Sequence, residues 1–197
     1  MYICLLNQYK QKLFVLKPRK IVITGGPSTG KSTVINELKK RNFFCFDEVS
    51  RDIIKEAQKE GIEQLFLEDP YLFSKKLLEG RVKQYMQADS VDEKVIFFDR
   101  GIPDVNAYLK YVKQPIPDDF EKITQAHPYD KLVFIMPPWE EIYTTDAERY
   151  ENFNQAQLIH NKLVNYYKEL GYYLIFVPFG PVEKRVDYIL DSIEKHP

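Results

Sequence analysis

The sequence predicts an α/β fold in which a parallel five-stranded sheet carries helices on both faces. Five short runs, 21–24, 43–46, 95–98, 132–136 and 172–177, are continuously apolar and rich in β-branched or aromatic residues, as strands buried on both faces should be. Longer stretches between them have helical periodicity. Strands alternating with helices imply right-handed βαβ crossovers and a parallel sheet. The 197 residues, 44% hydrophobic and 29% charged, suit a single core, and no linker, repeat or low-complexity segment divides them.

Each element has its own signal. Residues 1–19 read as an N-terminal extension or an extra strand ahead of a domain over 20–197. They have no long apolar core and no small-residue cleavage site, so no signal peptide is expected. Nothing in the chain approaches the ~20 apolar residues of a membrane span, and a cytoplasmic location is the default expectation. Helix 32–41 sets Val34, Ile35 and Leu38 on one face, and helix 49–60 does the same with Val49, Ile53, Ile54 and Ala57. Pro70 opens the long helix 70–88, since proline suits a first turn. Helices 104–112, 118–125, 152–170 and 182–194 complete the set. Between the fourth strand and about Asn152, Pro137 and Pro138 are followed by charges and aromatics without helical periodicity. A loop of that kind, over about 137–151, reads as a lid.

Charge and cysteine content exclude several classes. A net charge of −1 gives no global basic field, so no nucleic-acid partner is expected. Cys4 and Cys45 cannot build a disulfide framework or a zinc cluster, and Cys45, within Phe43-Phe44-Cys45-Phe46, reads as a small buried hydrophobe. His127, His160 and His196 lack ligand spacing and read as surface or structural residues.

Ligands of such sheets sit at the carboxyl ends of the strands, so the chemistry should follow each strand. After the first comes Gly25-Gly26-Pro27-Ser28-Thr29-Gly30-Lys31-Ser32, and then Thr33. Glycines let successive backbone N–H groups turn toward one phosphate, and the helix that begins beside Lys31 adds its positive dipole end. Lys31 reaches the β and γ phosphates, and the Ser32 hydroxyl suits a Mg²⁺ ligand. After the second strand stand Glu48 and, a turn later, Arg51. Glu48 is placed as general base for an acceptor hydroxyl and Arg51 to hold an anionic or polyhydroxyl substrate. The alternative is an ordinary acidic helix start.

Asp99 ends the third strand, where an acidic residue holds Mg²⁺, often through water. Arg100 follows it, where motor-type hydrolases place a second acid to orient water, and arginine suits a phosphate or an acceptor better. Asp104 reads as a helix cap rather than a catalyst. Arg81 and Gln84 share a helix face that either touches substrate or is solvated. In the lid, Arg149, ahead of Glu148 or Asp146, is placed to close over the phosphates. A lid arginine is worth about 10³–10⁵ in rate, and a plain surface arginine is the alternative. Trp139 is either a core anchor or a lid contact. The turn Val177-Pro178-Phe179-Gly180-Pro181 after the fifth strand passes near the base and says little about its identity. The Asn-Lys-x-Asp signature of guanine-specific switches is absent, because Asn161-Lys162 is followed by Leu163-Val164 inside a helix. ATP is therefore preferred, with GTP possible.

The segments VITGGPSTGKSTVINELKKR, DEVSRDII, FFDRGIPDVNAYLKY and PPWEEIYTTDAER together resemble the single-domain AAA-labelled ATPases related to the ribosylnicotinamide-kinase domain of bacterial NAD-biosynthesis regulators. The resemblance runs from about Lys20 to Glu194, and its last two segments are the most specific. It implies a three-layer P-loop NTPase fold with the kinase-like strand order 2-3-1-4-5. It also implies that Asp99 is the acidic metal-side residue, that Arg149 is a lid arginine, and that Glu48 and Arg51, matching a Glu-x-x-Arg segment, face substrate. The chain lacks room for the helical lid domain and sensor segments of hexameric AAA machines. It has no adenylyltransferase domain either, so a role in NAD metabolism does not transfer with the resemblance. Related eukaryotic proteins resemble GTP-binding proteins that recognise lipid.

Two readings follow. The first is a Mg²⁺- and ATP-dependent kinase for a small nucleoside- or ribosyl-like acceptor. The second is an NTP hydrolase or a nucleotide-gated binding or regulatory protein, ATPase or GTPase, whose only acceptor is water. The intact Lys31, Ser32 and Asp99 speak against a purely structural, degenerate nucleotide fold.

Overall fold

Alternate residues of a strand point to opposite faces of a sheet, and here that alternation fills two separate cores. The computed structural model describes residues 17–143 and 152–196. Its strands are β1 (Arg19–Gly25), β2 (Phe44–Phe46), β3 (Val95–Asp99), β4 (Leu132–Met136) and β5 (Tyr173–Phe176), all parallel, in the order β2-β3-β1-β4-β5. The expected strand order 2-3-1-4-5 is the one found. Ile21 and Ile23 of β1, Phe97 of β3 and Leu132, Phe134 and Met136 of β4 pack with α1 (Lys31–Lys40) and α8 (Val182–Glu194). Val22, Ile96, Phe98, Val133 and Ile135 enter the opposite core. There they meet α2 (Ser50–Lys59), the short α3 (Leu65–Glu68), α4 (Pro70–Gln87), α5 (Pro103–Tyr111), α6 (Asp118–Ala126) and α7 (Phe153–Glu169). The result is three layers: helix, sheet, helix.

Helix starts follow local chemistry. Asp69 caps α4 by accepting the Leu72 N–H at 2.9 Å, with Pro70 in the first turn, the position where its missing N–H costs nothing. Asn152 and Gln155 close a reciprocal capping box that fixes where α7 begins.

One expectation needs correction, one element is additional, and one open reading is decided. Continuous apolarity suggested five strands buried on both faces, but β2 and β5 are the sheet edges. Phe44, Tyr173 and Phe176 are exposed there, because an edge strand has one neighbour and the covering helices centre on β1, β3 and β4. The one-turn helix α3 was not foreseen, since four residues give no readable period. The face of α4 bearing Arg81 is buried rather than solvated. Among the described residues no helix is long and apolar enough to cross a membrane. Residues 1–16, which include Cys4 and most of the anticipated extension, lie outside the described residues.

Cys45, in β2, is partly buried, and burial pushes its thiol up to about 12. A raised thiol pKa means the fold favours the protonated form. This contribution to stability is full below the ordinary value of 9.0 and is lost as pH rises toward 12. In a Cys4→Ser background, iodoacetamide should alkylate native Cys45 at least about 100-fold more slowly than the urea-unfolded chain at mildly alkaline pH, because the thiolate is the nucleophile. Equal rates would refute the buried-thiol description.

Candidate active site

The turn after β1 is shaped by what it cannot accommodate. At Gly25, φ is +153° and a Cβ would stand 2.4 Å from the Met136 carbonyl oxygen, so the strand ends pressed against β4 and must turn. Gly30 precedes α1 in the left-handed conformation, φ +79°, where glycine alone is unstrained. No side chain caps α1. Its first N–H groups and positive dipole end are therefore presented to whatever anion enters the loop. Lys31 is buried, and its Nζ donates to the carbonyls of Gly26 at 2.6 Å and Gly25 at 3.1 Å. Burial, and then the like charge of Arg100, lower its pKa to about 7, against the pull of Asp99, Glu48 and Asp104. A phosphate would supply the missing counter-charge.

Glu48 stands between two arginines. Its Oε1 accepts from Arg81 Nη2 at 3.0 Å and from the Ser50 N–H at 3.2 Å, and its Oε2 meets Arg100 Nε at 2.5 Å. Burial alone would raise the Glu48 pKa. The Arg81 and Arg100 charges and these hydrogen bonds outweigh it and hold the carboxyl below its ordinary range. A carboxylate has about four lone-pair sites, so one on Oε2 is left for a ligand.

Arg100 holds this position at a cost. Its φ is +73°, unusual for a side-chain-bearing residue, and its N–H is tied to the Ile23 carbonyl at 2.9 Å. Its Nη1 reaches Asp104 at 3.2 Å. Asp104 also accepts from the Thr24 hydroxyl, the Gly101 N–H at 3.0 Å and the Tyr167 hydroxyl at 2.6 Å. Its place in the sequence suggested a helix cap, but no side chain caps α5, and the Gly101 N–H that Asp104 holds lies ahead of the helix. Asp104 is instead a buried junction joining β1, α5 and α7.

These groups line one cavity of about 240 Å³. Pro27 through Thr33 supply one part of its lining, and Glu48, Arg51, Arg81, Asp99, Arg100 and Asp104 another. The rest is apolar or aromatic: Ile54, Phe66, Phe73, Leu77, Tyr108, Ile159 and Leu163. Gly25 and Gly26 lie behind this surface and offer their carbonyls to Lys31. Arg149, Glu148 and Asp146 lie outside the described residues, as does the lid beyond Tyr143. Trp139 is no core anchor: it is half-buried and stacked on Phe179.

The implied Mg²⁺ can be tested against the residues present. Among the described residues no group of three or more His, Cys, Asp or Glu could hold a metal by itself. Asp99 is buried at the cavity with Oδ1 lacking any hydrogen-bond partner, and burial raises its pKa to about 6 against the pull of Lys31 and Arg100. An orphaned acid oxygen lining the same cavity as the Ser32 hydroxyl fits a hard cation that takes one or two protein oxygens and completes its shell with phosphate and water. The residues fit the ion.

Sequence reasoning missed the depth of Arg81, the reach of Asp104 and the whole of Arg185. For Arg81 one trace existed. Gly80 lies mid-helix, where glycine costs about 1 kcal/mol, and a Cβ there would stand in ordinary contact with Val49 at 3.5 Å, so the start of α2 packs beside α4 at this point.

The glycine–lysine turn at the carboxyl edge of a parallel 2-3-1-4-5 sheet gives the chain the three-layer α/β fold of the P-loop class. The family model for the AAA domain matches residues 20–185, and the chain belongs to that family. No curated protein matches the chain significantly. Among solved structures, the fold is similar to deoxyadenosine kinase from M. mycoides with products dCMP and a flexible dCDP bound. That match has a TM-score of 0.64 and 17% identity and covers 89% of this chain and 99% of that one. NadR in complex with NAD and AMP-PNP also has a TM-score of 0.64 and 17% identity, over 91% of this chain and 49% of NadR. Thymidylate kinase from Ehrlichia chaffeensis has a TM-score of 0.59 and 12% identity, over 89% and 98%.

Lys31→Ala should abolish triphosphate binding measured by calorimetry while leaving the circular dichroism spectrum unchanged, because the lysine serves the loop and not either core. Unchanged affinity would overturn the assignment of this turn as a phosphate cradle.

Proposed function

We propose that the protein is a Mg²⁺-dependent kinase that transfers a phosphoryl group from ATP to a hydroxyl of a small nucleoside- or ribosyl-like acceptor. One observation carries the reading. The phosphate loop and the Arg81–Glu48–Arg100 cluster line the same cavity, and the remaining wall is apolar and aromatic. A hydrolase needs room for water. This cavity offers a walled chamber suited to a flat, partly apolar body with a hydroxyl at one end. The kinases of similar fold lend support at the level of architecture.

In this reading Lys31 and the free N–H groups of α1 bind the triphosphate. Arg100 faces the group in transfer and stabilises its developing charge. Glu48, held anionic, accepts a hydrogen bond and then the proton of the acceptor hydroxyl through its open Oε2 site. Arg81 keeps Glu48 in place, Arg51 orients the acceptor, and the apolar wall limits the entry of water. Ser32 and Asp99 would hold Mg²⁺, which would supply positive charge to the polyphosphate.

Acceptor-dependent ADP formation across nucleosides, vitamins and sugars tests the proposal. Stimulation by one class is expected, and steady hydrolysis indifferent to every acceptor would overturn it in favour of an NTPase or nucleotide-gated protein. Glu48→Gln should lower transfer by about 10²–10⁴, the usual worth of general-base catalysis, with nucleotide affinity nearly unchanged. An equal fall in background hydrolysis would remove Glu48 from the acceptor side. Asp99→Asn should erase the Mg²⁺ dependence of nucleotide affinity, and full retention of that dependence would move the metal elsewhere.

A further inference from the structure

Helix α7 touches the candidate site at three levels. It runs so close to the phosphate loop that a Cβ on Gly26 would stand 2.9 Å from the Ala156 carbonyl oxygen. A turn further on, Ile159 and Leu163 wall the cavity. Four residues beyond Leu163, on the same helix face, Tyr167 is fully buried and its hydroxyl donates to Asp104 Oδ2 at 2.6 Å. The same hydroxyl presses on the backbone beside Arg100, since a Cβ on Gly101 would stand 2.7 Å from it. Only glycine leaves it room there. Asp104 is saturated in turn. Its Oδ1 accepts from the Thr24 hydroxyl and from Arg100 Nη1 at 3.2 Å, and its Oδ2 from the Gly101 N–H at 3.0 Å and from Tyr167. A carboxylate has about four lone-pair sites, so these bonds fix its orientation. Burial, and then the charge and hydrogen bond of Asp104, push the Tyr167 pKa well above its ordinary range, so the hydroxyl keeps the proton that it donates.

We propose that Tyr167 is a positioning residue for phosphoryl transfer, which aims the Arg100 guanidinium at the transferring group by holding Asp104 in one orientation. The inference rests on the role given to Arg100 in the proposed function. Tyr167 does not line the cavity, so it acts through its neighbours and not on a ligand. Arg100 is gripped by Glu48 at Nε and by Asp104 at Nη1. Two grips fix the plane of a guanidinium, whereas one leaves it free to swing about the other. Without the tyrosine hydroxyl, Asp104 Oδ2 keeps the Gly101 N–H alone, and the carboxylate can turn away from Arg100. A misplacement of about 1 Å at a reacting group can cost about 100-fold in rate. A core tyrosine whose hydroxyl is merely satisfied would have no such effect. The two roles give different results when ground-state and transition-state affinities are compared.

The full chain with Mg²⁺ would be titrated by calorimetry with ADP alone and with ADP plus aluminium fluoride, which mimics the phosphoryl group in transfer. In the unaltered chain the fluoride should tighten ADP binding, and Arg100→Ala should lose most of that gain. Tyr167→Phe, which keeps the ring, should bind ADP alone within about twofold of the unaltered chain. It should weaken the fluoride complex by about 10- to 100-fold. In an Arg100→Ala background Tyr167→Phe should change nothing further, because the tyrosine acts through the arginine. Asp104→Asn should show the same split, and it carries the test if Tyr167→Phe does not fold. An undiminished fluoride complex in Tyr167→Phe, an equal loss for ADP alone, or a loss that persists in the Arg100→Ala background would each overturn the assignment. Should Arg100→Ala keep the full gain, the role of Arg100 falls and this inference with it. Failure of the kinase reading on the acceptor side shows separately, as acceptor-independent ADP formation with the split intact.

Discussion

The Glu48 carboxylate held between the Arg81 and Arg100 guanidiniums is the interaction on which the active end of this molecule depends. Three charges sit where little water reaches, and each is tolerable only because of the others. Removing one partner from such a buried set typically costs about 3–5 kcal/mol, because the charge left behind has no compensation. The set also joins distant segments of the chain, since Glu48 follows β2, Arg81 lies on α4, Arg100 follows β3, and Asp104, on α5, carries the network on to β1 and α7. Helices that also touch through apolar contacts are thereby set in register around the cavity. Apolar packing alone tolerates slippage. A buried charge pair does not.

That register has chemical consequences. Arg100 takes a left-handed backbone conformation that costs on the order of 1–3 kcal/mol, and the Glu48 and Asp104 pairs, with the Ile23 carbonyl, hold it there. Its guanidinium therefore keeps a fixed position at the cavity. Lys31 and Asp99 show the reverse situation. Both are buried, Lys31 bonded to neutral loop oxygens and Asp99 with Oδ1 unpartnered, and their pKa values are lowered and raised respectively. Paired charges around Glu48 and uncompensated ones beside the loop are the arrangement that the proposed polyphosphate and cation would complete.

The two faces of the phosphate loop divide the remaining labour. Toward α4, α5 and α7 the loop opens on an apolar chamber, and toward α8 it is sealed by Arg185 and the Trp139–Phe179 pair. The loop can present two faces because it sits at the point where helices on both sides of the sheet diverge.

Much of this was legible without coordinates. The five apolar runs, the glycine–lysine turn, and an acid at the end of the second and third strands are local patterns, each carried by residues adjacent in sequence and governed by period-two alternation or turn chemistry. They determined the fold class and placed Lys31, Ser32, Glu48, Asp99 and Arg100 at one edge of the sheet. What tertiary structure decided was pairing. Arg81 reads as one more charge on a helix until the packing of α4 beside Val49 buries it against Glu48. Asp104 reads as a cap until Thr24 and Tyr167, 80 and 63 residues away, converge on it. Arg185 and Trp139 carry no local signal at all, since nothing in either neighbourhood encodes the other. Long-range charge pairs depend on which helices share a layer, and that is settled by packing of the whole sheet rather than by any stretch of sequence.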